Sequence, residues 1–219
     1  QLAANQNNKE AQYYLAEIYM KGQDVKQDIK KGLYFLTLAA DNGDSLAQFN
    51  LGLISYNGIY VIRDINKAIH YLKLSAQQNV LDAYYILGII YFDGKYVDMD
   101  ISLALYYLSY AADKNNSNAQ FALGCIYSDC PYVQRNMNKA IHYYSLSAIQ
   151  NNAEAQYNLG FAYLKGDKVK FDIEKAIKYF TLAANQKEPM SQFYLGYFYL
   201  NGIYVEKNIS KALSLFLDS

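Results

Sequence analysis

The chain has 219 residues, 53% of them hydrophobic, and its twenty basic residues balance twenty acidic ones. That is ample apolar material for a packed core, and the lack of net positive charge argues against a nucleic-acid backbone or an anionic membrane surface as partner. No stretch approaches the roughly 20 uninterrupted apolar residues that cross a bilayer, which argues against membrane insertion, and Gln1 to Glu10 lack the zones of a secretion signal.

In chain order, Gln1-Leu2-Ala3-Ala4-Asn5-Gln6 matches Thr181-Leu182-Ala183-Ala184-Asn185-Gln186, so residues 1–10 are expected to close a preceding unit. From Ala11 a fixed series begins. Ala11-Gln12-Tyr13-Tyr14-Leu15, Ala47-Gln48-Phe49-Asn50-Leu51, Ala83-Tyr84-Tyr85-Ile86-Leu87, Ala119-Gln120-Phe121-Ala122-Leu123, Ala155-Gln156-Tyr157-Asn158-Leu159 and Ser191-Gln192-Phe193-Tyr194-Leu195 start 36 residues apart without interruption. Six units of one domain spanning 1–219 are expected, starting at 11, 47, 83, 119, 155 and 191.

Each unit predicts a helix, a loop, a second helix and a second loop. In the first helix the leucine is followed by Ala16, Gly52, Gly88, Gly124, Gly160 or Gly196, a small residue that lets another helix come close. The first loop carries Gly22, Gly58, Gly94, Gly166 and Gly202, with Cys130-Pro131 standing there once, and a valine three residues on. Asp28, Asp64, Asp100, Asn136, Asp172 and Asn208 then supply the short side-chain oxygens that cap a starting helix. The second helix alternates rings such as Phe35, Tyr71, Tyr107, Tyr143 and Tyr179 with small pairs such as Ala39-Ala40 and Ala183-Ala184. It ends at Gly43, Asn79, Asn115 or Asn151, residues that tolerate a left-handed turn, with Lys187 departing from the rule. One such pair cannot bury its own apolar face, so an all-α solenoid is expected. The last unit runs to Ser219 with Leu213, Leu215, Phe216 and Leu217 in its second helix. Because a solenoid normally ends in a polar cap, a longer array or end-to-end self-association is expected.

The string Ala155-Gln156-Tyr157-Asn158-Leu159-Gly160, with Tyr163, Gly166, Val169, Asp172, Lys175-Ala176, Tyr179 and Ala183-Ala184, resembles the Sel1-like repeat, a relative of the tetratricopeptide repeat. The resemblance covers nearly the whole chain and implies an α/α right-handed superhelical solenoid of the tetratricopeptide-like superfamily. The family's usual second loop glycine is replaced by Asp24, Tyr60, Tyr96, Tyr132, Lys168 and Tyr204, and its second-helix tryptophan by tyrosine or phenylalanine. Its members are generally adaptors or assembly scaffolds, which implies a protein or peptide partner and a non-enzymatic role.

At about 100° per residue, positions one, five, six, eight and nine of the first helix fall on the core side and positions three, seven and ten on the opposite, concave side. The expected partner-binding residues there are Tyr13, Phe49, Tyr85, Phe121, Tyr157 and Phe193 at position three, Leu53, Ile89, Phe161 and Tyr197 at position seven, and Tyr56, Phe92, Leu164 and Leu200 at position ten. Such an apolar wall suits an extended peptide or an amphipathic helix. The position-three rings have an equally good alternative, packing between neighbouring helices. The runner-up function is a structural subunit that contacts a larger assembly through its ends and convex face.

No catalytic, metal or cofactor site is expected. His70 and His142 share one repeat position on the outward face, too far apart for a common metal or proton. Cys125 points to the concave wall, away from His142, and Cys130 has no metal-ligand spacing to it. The repeated Asp and Asn residues are taken by helix starts. Asn115-Asn116-Ser117 matches a glycosylation acceptor and matters only in a secretory pathway.

Overall fold

The computed structural model describes residues 8–23, 25–166 and 169–217, and among them it contains twelve helices and no strand. The first helices of the repeats are α1 Lys9–Lys21, α3 Ser45–Asn57, α5 Leu81–Asp93, α7 Ser117–Asp129, α9 Ala153–Lys165 and α11 Pro189–Asn201. The second helices are α2 Ile29–Asp41, α4 Ile65–Gln77, α6 Ile101–Asp113, α8 Met137–Ile149, α10 Ile173–Asn185 and α12 Ile209–Leu217. The expected helix–loop–helix order with its 36-residue period is therefore the fold. The match of Gln1–Gln6 to Thr181–Gln186, the loop residues Asp24 and Lys168, and Ser219 lie outside the described residues. The chain divides into two compact units, Gln1–Ala111 and Ala112–Ser219.

The helices start where short oxygens stop the chain from fraying. All six expected caps on second helices accept a backbone N–H three residues on: Asp28 from Lys31, Asp64 from Lys67, Asp100 from Leu103, Asn136 from Lys139, Asp172 from Lys175 and Asn208 from Lys211. Asn8, Asp44, Asn116 and Asn152 do the same for first helices, and Glu188 with Pro189 behind it serves α11, while Val80 before α5 offers no side-chain cap. After the second helices Asn79, Asn115 and Asn151 turn left-handed at φ of 64°, 71° and 66°, and Lys187 does so too at 65° despite its side chain. Tyr60 and Tyr204 also sit at φ +64°, where the resemblance expects glycine.

In the first unit the core runs through Ala16, Phe35, Leu36, Ala39, Leu51, Leu72 and Leu87. A Cβ on Gly52 would stand 2.8 Å from Leu72 Cγ, which is why no larger residue follows that leucine. Tyr19 stacks on Phe35 and Tyr91 on Tyr107, both pairs with centroids 5.9 Å apart. Between them the second repeat breaks the rule: Ser55 replaces the ring, is buried, and its Oγ has no partner. Tyr71 stands in the position of Phe35 and Tyr107 and donates its hydroxyl to Asp41 at 2.7 Å. Burial and that carboxylate push it up to about 12.

The second unit repeats the plan around Ala140, Tyr144, Leu159, Phe180 and Leu195. Its ring stacks, Tyr127 on Tyr143 and Tyr163 on Tyr179, are again 5.9 Å apart, and Lys139 and Lys175 lie over Tyr127 and Tyr163.

A buried amide ladder joins helices in both units, and the sequence reading did not assign it. Gln48, Gln120 and Gln156 are almost fully buried and donate Nε2 to the carbonyl oxygens of Ala40, Ala112 and Ala148 in the preceding repeat. Their own Oε1 atoms accept from Gln78, Gln150 and Gln186 thirty residues on. The third repeat lacks the glutamine, and there Tyr84 stacks on Tyr110 at 4.2 Å instead.

Candidate functional site

Each unit presents its first helices side by side, and the expected wall residues are on that surface. In the first unit Tyr13, Phe49, Leu53, Tyr56, Tyr85, Ile89 and Phe92 are all half-buried, neither sealed nor fully open. In the second unit Phe121, Tyr157, Phe161 and Leu164 are half-buried, whereas Phe193, Tyr197 and Leu200 on α11 are 49%, 46% and 39% exposed.

Several position-three rings pack against the second helix of their own repeat. Phe121 lies 6.0 Å from Tyr144, Tyr157 6.1 Å from Phe180 and Phe193 6.2 Å from Phe216, each contact reaching from a first helix to its own second helix. Tyr157 also meets Tyr194 of the next repeat at 6.3 Å. Phe121 and Tyr157 are thus packed on one side and half-buried as a whole, while Phe193 stays 49% exposed. Tyr13 is tied sideways, its hydroxyl accepting Asn50 Nδ2 at 3.0 Å. Burial, followed by the Glu17 carboxylate, pushes that hydroxyl up.

A cleft opens between first helices in each unit. Between α1 and α3 a cleft of about 330 Å³ has Leu36 at its base, Tyr13 and Met20 on one side, Leu53 and Ile54 on the other, and Ile59 at its mouth. Glu17 and Lys21 face it but pair with each other at 3.0 Å. Between α7 and α9 a cleft of about 310 Å³ has Tyr144 at its base, flanked by Ser128, Asp129, Phe161, Arg135 and Lys165. The Tyr144 hydroxyl lies 3.1 Å from Ser128 Oγ and 3.6 Å from Cys125 Sγ, and Ser128 donates to the Cys125 carbonyl at 2.9 Å. Arg135 is anchored through Nε on the Ser128 carbonyl at 3.0 Å, and Lys165 lies 4.7 Å over the Phe161 ring.

Burial pushes the Cys125 thiol up, with the Tyr144 hydrogen bond opposing it. His70 and His142 are exposed and stand edge-on to Tyr71 and Tyr143. Among the described residues no cluster of histidine, cysteine and carboxylates is arranged to hold a metal, and no helix is long and apolar enough to cross a membrane.

Comparison with known proteins fits this geometry. The model of the Sel1 repeat matches six times, at residues 9–44, 45–80, 81–116, 117–152, 153–188 and 189–217. A Sel1 repeat protein from Oxalobacter formigenes is 32% identical with a TM-score of 0.89, over 95% of this chain and 86% of that one. A protective antigen present in uropathogenic Escherichia coli strains, displaying an SLR fold, is 31% identical with a TM-score of 0.88 over 99% of this chain. The chain spans only 46% of that antigen's length. An immunity protein from Pseudomonas aeruginosa, at 23% identity and a TM-score of 0.59, shares the fold over 95% of this chain and 81% of its own. None of the curated proteins compared matches the chain.

Proposed function

The chain belongs to the Sel1 repeat family, and on that premise we propose that it is a non-enzymatic adaptor or scaffold holding a peptide or helical segment of another protein along its first-helix wall. Sel1 repeat proteins generally mediate protein–protein interaction, and their solenoid is typically non-catalytic. The observation that carries the finer reading is the state of the wall. Large apolar side chains recur at positions three, seven and ten, half-buried rather than sealed, around a cleft whose lining is mainly apolar. A surface of that kind gains by covering its remaining apolar area.

The test is the double variant Leu53→Asp with Phe161→Asp. It is expected to keep its helical circular dichroism and cooperative unfolding while losing capture of the partner that the unaltered chain retains. Unfolding of the variant means those side chains are core. Undiminished capture by a folded variant removes the wall as the binding surface.

A further inference from the structure

The first rung of the amide ladder differs from the others in the residue that donates. Gln78, Gln150 and Gln186 give a side-chain N–H to Oε1 of Gln48, Gln120 and Gln156, whereas in the first repeat Asn42 Nδ2 gives it to Gln12 Oε1 at 2.8 Å. Asparagine is one methylene shorter, and Gly43 follows it where Asn79, Asn151 and Lys187 follow the glutamines. Those two changes alter the chemistry open to the side chain. Asparagine Cγ can close a five-membered ring with the next backbone nitrogen, and glycine leaves that nitrogen without a side chain to hinder it. Glutamine can close only a six-membered ring, which forms more slowly.

The Asn42-Gly43 turn is open on its outer side. Asn42 is exposed, one residue past the end of α2, at φ −81° and ψ 8°. Gly43 is left-handed at φ 83°, and a Cβ placed on it would meet nothing within 4 Å. On its inner side the turn is held by hydrogen bonds. Gly43 N–H donates to the Ala40 carbonyl at 3.0 Å, Asp44 N–H to the Ala39 carbonyl at 2.9 Å, and Lys9 Nζ to the Gly43 carbonyl at 3.0 Å. Two other asparagines precede glycine, Asn57 and Asn201, and both are last residues of helices, α3 and α11. Ring closure there has to unwind a helix end. Arg63 Nη2 also donates to the Asn57 carbonyl at 3.3 Å, and Asn201 Nδ2 to the Tyr197 carbonyl at 3.0 Å.

We propose that Asn42 is a self-modification site, which deamidates in the folded chain and thereby cuts the first rung of the ladder. Once the carboxamide leaves Gln12, the Gly43 backbone nitrogen, its proton given to solvent, attacks Asn42 Cγ. The N–Cγ bond forms, and the side-chain nitrogen takes a proton and departs as ammonia. The cyclic imide then takes up one water. Opening at Cγ gives aspartate, and opening at the backbone carbonyl gives isoaspartate, in which the chain runs on through Cγ. One water enters and one ammonia leaves, so no oxidant or reductant is needed. Either product has a carboxylate in place of the amide, and a carboxylate has no N–H to give to Gln12 Oε1. The rung also gates the reaction, because a carboxamide bound to Gln12 is not free to swing onto the Gly43 nitrogen. This inference is independent of the first-helix wall.

The test is incubation of the 219-residue chain in mildly alkaline buffer, with tandem mass spectrometry reading amide-to-acid conversion at each asparagine over time. Acid is expected at Asn42 before Asn57 and Asn201, as aspartate and isoaspartate together. Asn42→Gln installs the residue that the other three rungs carry. It is expected to leave circular dichroism unchanged and to remove the conversion at that position. Gln12→Met is expected to speed conversion at Asn42 about fivefold, the size of one neutral hydrogen bond, and to leave Asn57 and Asn201 as they were. No acid at Asn42, conversion of all three asparagines at one rate, or an acceleration in Gln12→Met shared equally by the three overturns the proposal.

Discussion

The cleft between α1 and α3 and the cleft between α7 and α9 are the same place in two different repeats. Met20 becomes Ser128, Lys21 becomes Asp129, Leu36 becomes Tyr144, Leu53 becomes Phe161, Ile54 becomes Ala162 and Asn57 becomes Lys165, while asparagine stays at 50 and 158. The volumes differ little, at about 330 and 310 Å³. Repeat spacing thus decides where a cleft forms, and the residues at fixed positions decide what it offers. One cleft is mainly apolar with its only ion pair closed on itself, and the other brings a hydroxyl pair, a guanidinium and a lysine to a similar hollow.

The strongest way to break that equivalence is to remove the two bases. Leu36→Ala is expected to cost about 2–5 kcal/mol and Tyr144→Ala about 3–5 kcal/mol in urea unfolding, since both side chains are buried. A negligible cost at either site would mean that its cleft lacks a packed base. Next in size is the ladder. Gln156→Met removes the hydrogen bonds to the Ala148 carbonyl and from the Gln186 amide, both of which keep a contact with Asn151, and a loss of about 1–3 kcal/mol for the two bonds is expected from the same measurement. Smaller is the loss of the Tyr144 hydroxyl alone: Tyr144→Phe is expected to cost about 1 kcal/mol and to leave the α1/α3 cleft untouched.

Two pH effects sharpen the account further. Tyr71 is raised in the fold, so its share of stability is complete below the ordinary tyrosine range near 10 and is lost as pH climbs through about 12. Tyr71→Phe is expected to flatten stability between those values. Asp172 is lowered by the Lys175 backbone N–H that it caps, so its contribution is present above about 4 and fades as pH falls through the lower folded value. Asn136 caps α8 without a titrating group, so Asn136→Ala should cost the same at acid and neutral pH while Asp172→Ala should not. Equal pH profiles for the two variants would contradict the capping account.

Much of this was legible in one sequence. The period, the caps from Asp28 to Asn208 and the small residue after each leucine are local signals, each needing only near neighbours to make sense. The ladder was not legible, because the role of glutamine at the second position depends on a donor thirty residues on. The packing of Phe121 on Tyr144 and of Tyr157 on Phe180 was not legible either, because periodicity places a ring on a helix face without saying which neighbour it meets. Lys187, Tyr60 and Tyr204 hold left-handed backbone without glycine or asparagine, a choice set by the turns around them rather than by their own preference. Ser55 breaks the ring stack, and the hydrogen bond from Tyr71 to Asp41 that accompanies it joins residues thirty positions apart.

The central claim is that the first-helix wall is the surface a partner covers. Carbene footprinting of the chain, free and with its captured partner, tests it most directly. The account predicts that Leu53, Ile89, Phe161 and Leu164 label in the free chain and are protected in the complex, while His70, His142 and the other outward residues of the second helices label equally in both. Protection confined to the second helices, with the wall labelled alike in both states, would contradict it.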